Sequence, residues 1–201
     1  MFDDGTVFDN DISINGNVTQ TGPTGGVFGA AADFGGAASD SLSTTASAFS
    51  PGDGDFAVSF WINSPDPANN NDALIGKGDS GANDGYRVRL DSGNIEVRLL
   101  DNGDNNAGIA TTGLIADNQF SHVVAQRLGD DLQLWIDNNL VATDTGNSSL
   151  NLDSGAPFLI GQRTNQFGTN PFEGLIDEVW VFDGSLTPAN INGLFTSNDP
   201  L

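Results

Sequence analysis

The sequence predicts an all-β fold, an antiparallel β-sandwich of the jelly-roll type with one short helical turn near its C-terminus. Three observations carry this expectation. Apolar and aromatic runs of four to eight residues recur at short, regular spacing, with Gly, Asn and Asp turns between them. Two neighbouring runs alternate apolar and polar residues with period two, the mark of a half-buried strand. The acid is almost all Asp: only Glu96, Glu173 and Glu178 among 27 acidic residues are Glu, and Asp favours turns and caps over helix interiors.

Residues 1–50 are rich in Gly, Ser, Thr and Ala, with acidic knots at Asp3-Asp4-Gly5 and Asp9-Asn10-Asp11, and read as short edge strands and long ordered loops. Strand signals sharpen at Phe56–Ile62, bounded by Gly54-Asp55 and Asn63-Ser64-Pro65. Tyr86–Leu90 and Ile95–Leu99 flank the turn Asp91-Ser92-Gly93-Asn94 and form the clearest hairpin. Its outward face carries Arg87, Arg89, Glu96 and Arg98, so Glu96 has an arginine within cross-strand reach. Further strands are expected at Ser121–Arg127, Leu132–Ile136, Leu140–Thr143, Phe158–Gly161 and Leu175–Phe182. Thr187 followed by Pro188 is a helix start, and Leu194 and Phe195 would tuck that helix onto a sheet. With 201 residues, no linker and no internal repeat, the chain reads as a single domain, 1–201.

Charge excludes several classes of partner. Six basic residues against 27 acidic ones leave a net charge of −21, which opposes nucleic acid and anionic membrane surfaces. No apolar run approaches the ~20 residues of a membrane span, and no signal segment is read at the N-terminus. Without cysteine there is no disulfide framework, and one histidine leaves no ordinary zinc site. Disorder is set aside because apolar residues make up 37% of the chain, including 13 Phe and 3 Trp, in patterned clusters.

The segment Glu173-Gly174-Leu175-Ile176-Asp177-Glu178-Val179-Trp180-Val181-Phe182, followed by Ser185-Leu186-Thr187-Pro188, resembles the closing motif of bacterial laminin-G-like domains in the concanavalin A-like lectin/glucanase superfamily. Other segments agree in order: Phe2–Thr6, Asp11–Asn17, Val27–Phe34, Phe56–Ile62, Ile75–Gly78, Phe120–Val124 and Leu132–Val141. In the last of these the family usually has an Asp-Gly turn, and here Asn138 stands in for the Gly. The family also usually has an apolar strand before the Phe-Asp-Asp-Gly loop, which here begins at residue 2. That departure leaves the expectation of an excised domain with an added Met, or of a first strand that is missing or supplied by a neighbour.

The resemblance implies chemistry at particular positions. Related glucanases place paired carboxylates on one strand as Glu-x-Asp-x-x-Glu; this spacing is absent, so a non-enzyme is expected. The histidine of a Ser-His-Asp triad must face a nucleophile and be held by an acid, whereas in the family the His122 position packs beside a Val-Val strand. In the superfamily an Asp of the last strand often joins the opening loop around a structural calcium. The matching positions are Asp177, with Asp3, Asp4, Gly5 and Asp11 as loop partners; the plain alternative is that these acids cap turns.

A second candidate region is the pair of loops Asp79–Asp84 and Asp101–Asn106, which share one end of the hairpin. Asp79, Asn83, Asp84, Asp101, Asn102 and Asp104 offer short oxygen ligands for a second calcium, and through it for a pair of sugar hydroxyls; the plain alternative is a solvated acidic loop. Arg163 and Asn165 lie on another loop with Gln166 and Asn170 and could meet sugar hydroxyls. The tryptophans Trp61, Trp135 and Trp180 read as core, while Tyr86, Phe167 and Phe172 read as contact aromatics. The function expected is a non-catalytic extracellular binding or adhesion module, calcium-stabilised and recognising glycan through rim loops. The alternative is a structural surface protein, a virion decoration or fibre subunit or an extracellular filament component, whose partners are neighbouring subunits in a homo-oligomer or larger assembly.

Overall fold

The computed structural model describes residues 12–45, 49–68, 72–79, 84–101, 105–110, 115–162 and 171–199. In chain order the strands are β1 (Ser13–Asn15), β2 (Thr19–Gln20), β3 (Ala32–Gly35), β4 (Ser41–Ser43), β5 (Phe56–Asn63), β6 (Asp72–Asp79) and β7 (Asp84–Asp91). They continue as β8 (Asn94–Asp101), β9 (Asn105–Ala110), β10 (Ser121–Leu128), β11 (Asp131–Ile136), β12 (Asn139–Thr145), β13 (Phe158–Ile160) and β14 (Glu173–Phe182), before helix α1 (Pro188–Ser197). Two seven-stranded sheets result, ordered β1-β4-β13-β6-β7-β8-β9 and β12-β11-β10-β5-β14-β3-β2. All named strand pairs are antiparallel, as the short Gly/Asn/Asp turns require. The β-sandwich expected from the sequence is thus observed.

Period-two alternation builds the core between the sheets. Tyr86, Val88 and Leu90 of β7 and Ile95, Val97 and Leu99 of β8 face inward, and meet Phe56, Val58, Phe60 and Ile62 from β5. The outer face of the second sheet is also dry. There α1 lays Ile191 and Leu194 over Ala57, Val124 and Leu186, with Trp135, Trp180 and Phe182 packed around them. This covering explains why β5 and β10 are buried along almost their whole length, whereas β7 and β8 alternate.

Helix α1 starts where the sequence said it would. Thr187 accepts from the Asn190 amide, the Asn190 side chain returns the contact, and Pro188 occupies the first turn, where its missing N–H is no loss. The helix runs ten residues, longer than the single turn expected, because its apolar side finds a sheet to cover. The Leu132–Val141 hairpin turns through Asp137 and Asn138 at φ 48° and 63°. Both positions of such a turn need the left-handed region, which Asn tolerates, so Asn138 replaces Gly there without changing the hairpin.

Three expectations are corrected. Tyr86 is not a contact aromatic: it is 2% exposed, its hydroxyl donates to the Phe49 carbonyl at 3.1 Å, and its ring meets Phe56. Phe172 is likewise buried, edge-on to Phe34, and Phe167 lies outside the described residues. The acidic segment 101–106 is not loop throughout. Asp101 ends β8 and pairs with Asn105 of β9, an Asn-rich strand whose low intrinsic propensity is overridden by the β8 edge it covers.

Candidate functional site

The last strand positions Asp177. β14 pairs Ile176 with Ile62 and Asp177 with Trp61, then inserts an extra residue before Trp180 meets Ser59. Glu178 takes φ 48° in this bulge, which re-aims the side chains that follow it. Asp177 is 5% exposed on the outer side of the second sheet, and its Oδ2 accepts the Val27 amide at 2.7 Å. A side chain on Gly26 would collide with that carboxylate, its Cβ falling 2.3 Å from Oδ2, so the Gly25-Gly26 step is what lets the loop approach. Phe28 of this loop sits edge-on to Trp61 at 6.3 Å.

The neighbouring carboxylate is also held. Asn198, the left-handed cap of α1, donates to Glu178 and accepts from Trp180 Nε1 at 2.7 Å. Burial, then the nearby Asp177, push the Glu178 carboxyl up, against the Asn198 contact. Asp177 uses one acceptor position on Val27, and Glu178 follows it in the bulge with its own carboxylate bonded to Asn198. Among the described residues no group of three acids or histidines completes a metal site. Asp3, Asp4, Gly5 and Asp11, the other expected ligands, lie outside the described residues.

The rim positions divide the same way. Asn83, Asn102, Asp104, Arg163 and Asn165 lie outside the described residues. The backbone register pairs Asp79 with Asp84 across β6 and β7, and Gly85 with Leu100 across β7 and β8. Asp79, Asp84 and Asp101 therefore occupy strand ends at one end of the first sheet. Asp101 Oδ2 accepts the Asn151 amide at 3.3 Å, tying that end to the loop before β13.

The outer face of the first sheet carries a charged group on the β7–β8 hairpin. Arg87 stands opposite Arg98, and Arg89 opposite Glu96. Arg89 Nε donates to Glu96 at 2.9 Å, its Nη2 reaches Asp91 Oδ2 at 2.9 Å, and Arg98 Nε pairs with the other Glu96 oxygen. Burial opposes charge on Glu96, but the two arginines outweigh it and hold the carboxyl below its ordinary value. Ala73, Ile75, Gly76, Arg87, Val88, Arg89 and Gln162 line a small depression beside this cluster. Three of the six basic residues fall on this one hairpin face.

His122 has the packing role its strand context implied. Its Nε2 is 2.8 Å from Ser59 Oγ, both residues are 1% exposed, and its ring contacts those of Trp61 and Phe195, which stack on each other. Among the described residues no acid holds Nδ1, and the pair there has no third member of a triad.

Two antiparallel seven-stranded sheets, one of them covered by a helix, define a β-sandwich of the jelly-roll type. Residues 34–192 match the model of the Laminin_G_3 family, described as concanavalin A-like lectin/glucanases superfamily, and the chain belongs to that family. The fold is similar to the binding domain of Paraclostridial Mosquitocidal Protein 1, at TM-score 0.78 and 19% identity, covering 97% of this chain and 49% of that one. It is also similar to the botulinum neurotoxin serotype G binding domain, at TM-score 0.75 and 12% identity, covering 96% of this chain and 47% of that one. The chain thus spans about half the length of these toxin domains. Domain 4 of AbnA, an extracellular arabinanase from Geobacillus stearothermophilus solved with arabinotriose, matches at TM-score 0.70 and 20% identity, covering 92% of this chain and 87% of that domain. No curated protein matches the sequence. No described helix is long and apolar enough to cross a membrane.

Proposed function

We propose that this chain is a non-catalytic extracellular binding module that recognises glycan and is stabilised by calcium at Asp177. The observation that carries the reading is the near-complete overlap with domain 4 of AbnA, a jelly roll solved with an arabinose oligosaccharide. The toxin neighbours, also binding domains, support the same class. Recognition through the rim at Asp79, Asp84 and Asp101 fits the short acceptors that the register gathers there. A glycan array probed with and without chelator tests the reading: selective binding is expected, and an array with no bound glycan overturns it.

The calcium part has its own test. Calcium is expected to raise the melting temperature of the wild type, since a ligand at a hundredfold its Kd adds about 2.7 kcal/mol. Asp177→Asn, which keeps an acceptor for Val27, is expected to lose most of that shift. An equal shift in the variant, or restoration of full stability by sodium chloride alone, would sink the site.

A further inference from the structure

We infer that the outer face of the second sheet, beside helix α1, holds a subsite for a neutral sugar ring, with Trp135 as its platform and Gln133 and Thr143 reading its hydroxyls. The inference rests on the binding-module reading and adds a glycan contact on the sheet opposite the rim residues.

Strand register is the first argument. Leu132, Leu134 and Ile136 of β11 face the core, so the alternate residues Asp131, Gln133 and Trp135, all half-buried, face outward. Three cross-strand rows result on that side: Val124, Trp135 and Leu140; Gln126, Gln133 and Thr143; Leu128, Asp131 and Thr145. A bulge after Leu134 sets the first row, because Val141 and Ala142 both pack on the core and Leu140 then stands opposite Trp135, 47% exposed. Helix α1 covers Val124 and packs on Trp135, but Leu128, Leu140, Thr143 and Thr145 stay exposed. Asn138, in the β11–β12 turn, donates to Asn192 of α1 at 2.9 Å and ties that end of the strip to the helix.

A polar chain is the second argument. Buried Gln126 accepts the Leu186 amide through Oε1 at 2.7 Å, so its Nε2 is the donor to Gln133 Oε1 at 2.9 Å. Trp135 Nε1, which can only donate, reaches the same oxygen at 3.3 Å. Two donors thus fix the Gln133 amide one way round and hold the indole beside it. Among the described residues Gln133 Nε2 has no partner, and it is the group left for a ligand.

The ligand class follows from this chemistry. The C–H face of a sugar ring packs on an aromatic surface, and its hydroxyls need donors and acceptors at the edge. Gln133 Nε2 donates, and the exposed Thr143 hydroxyl does either. The three rows carry a single formal charge, Asp131, and no cation, so this strip offers nothing to hold a sugar acid. Leu128 and Leu140 stand at opposite corners with Gln133 and Thr143 between them, which breaks the continuous apolar centre that a protein interface requires.

The test follows calorimetry and tryptophan emission of the intact chain with arabinotriose, xylotetraose and cellotetraose. At least one is expected to bind and to change the emission. Trp135→Phe keeps a ring against α1, and should weaken that binding about five-fold and remove the emission change. Gln133→Glu keeps the acceptor for Gln126 and Trp135 but has no donor, and should weaken it about ten-fold. Thr143→Val, at an exposed strand position, should weaken it without lowering the melting temperature. Binding that leaves the emission unchanged and survives Trp135→Phe puts the glycan elsewhere, and overturns the subsite while leaving the binding module intact. Binding to none of the three also overturns the subsite, and the module reading then stands or falls on the glycan array. A dimer that Leu140→Asn dissolves would give this face to a second copy and overturn the inference as well.

Discussion

Arg127→Met is expected to lower stability by about 3 kcal/mol, a fall in melting temperature on the order of 6–12 °C for a domain of this size. Arg127 is fully buried, and among the described residues it forms no ion pair. Its Nε donates to Gly54 at 2.8 Å, Nη1 to Leu150 at 2.7 Å and Nη2 to Gly52 at 2.9 Å. Its guanidinium also lies 5.9 Å from the Phe56 ring centre. Three carbonyls from two separate loops thus depend on one side chain. Methionine fills much of the space but offers no donor, and each orphaned buried carbonyl costs about 1–3 kcal/mol. Removal of a desolvated charge recovers part of this, because burial already pulls the Arg127 pKa down against the attraction of Asp55 and Asp53. Amide exchange at Leu152, which donates to the Gly52 carbonyl at 2.8 Å, should accelerate in step. A methionine variant that melts within 2 °C of the wild type at about this precision contradicts the account.

Asp72→Asn is expected to do the reverse, stabilising the fold at pH 7.5 by on the order of 2 kcal/mol while leaving it unchanged near pH 3.5. Asp72 opens β6, is 2% exposed, and its Oδ1 has no hydrogen-bond partner. Burial first, then Asp66 and Glu173, push its pKa up to about 6 from 3.8. The folded state therefore holds a proton that the unfolded state has released between those values, and stability falls as pH rises through that window. His122 works in the opposite direction. Burial takes its pKa down to about 4 from 6.5, so the unfolded chain binds the extra proton and stability rises with pH over the same interval. The two slopes oppose each other in the wild type, and Asp72→Asn unmasks the histidine slope. The difference in melting temperature between variant and wild type, measured from pH 3.5 to 7.5, decides: a gain that does not grow with pH would show that the carboxylate is not the source.

Much of this fold is legible from local chemistry. The hairpin of β7 and β8, the Thr187-Pro188 helix start and the Asp137-Asn138 turn each follow from a few adjacent residues, whose preferences agree with their tertiary surroundings. Asp177 is legible only through the family motif, because its partner, Val27, lies 150 residues away. Arg127 shows the same difficulty. Alternation along β10 puts it on the face of Val123 and Ala125, but the carbonyls that make this tolerable come from loops remote in sequence. Asp72 was missed for a different reason: the segment that resembled the family began at Ile75, whereas β6 starts three residues earlier. The rim residues remain where pattern alone can carry them, at the ends of strands whose register is now known.

The placement of the aromatic residues has a consequence for anyone who follows this protein optically. Trp61, Trp135 and Trp180 stand on β5, β11 and β14, all in the sheet that carries helix α1. The first sheet has no tryptophan among its described strands, and its Tyr86 points into the core. Intrinsic emission therefore reports on the helix and the sheet beneath it. A ligand that met only the first sheet would leave that emission unchanged, and a flat fluorescence titration would be a false negative; calorimetry or ligand-observed resonance is the detector this architecture calls for.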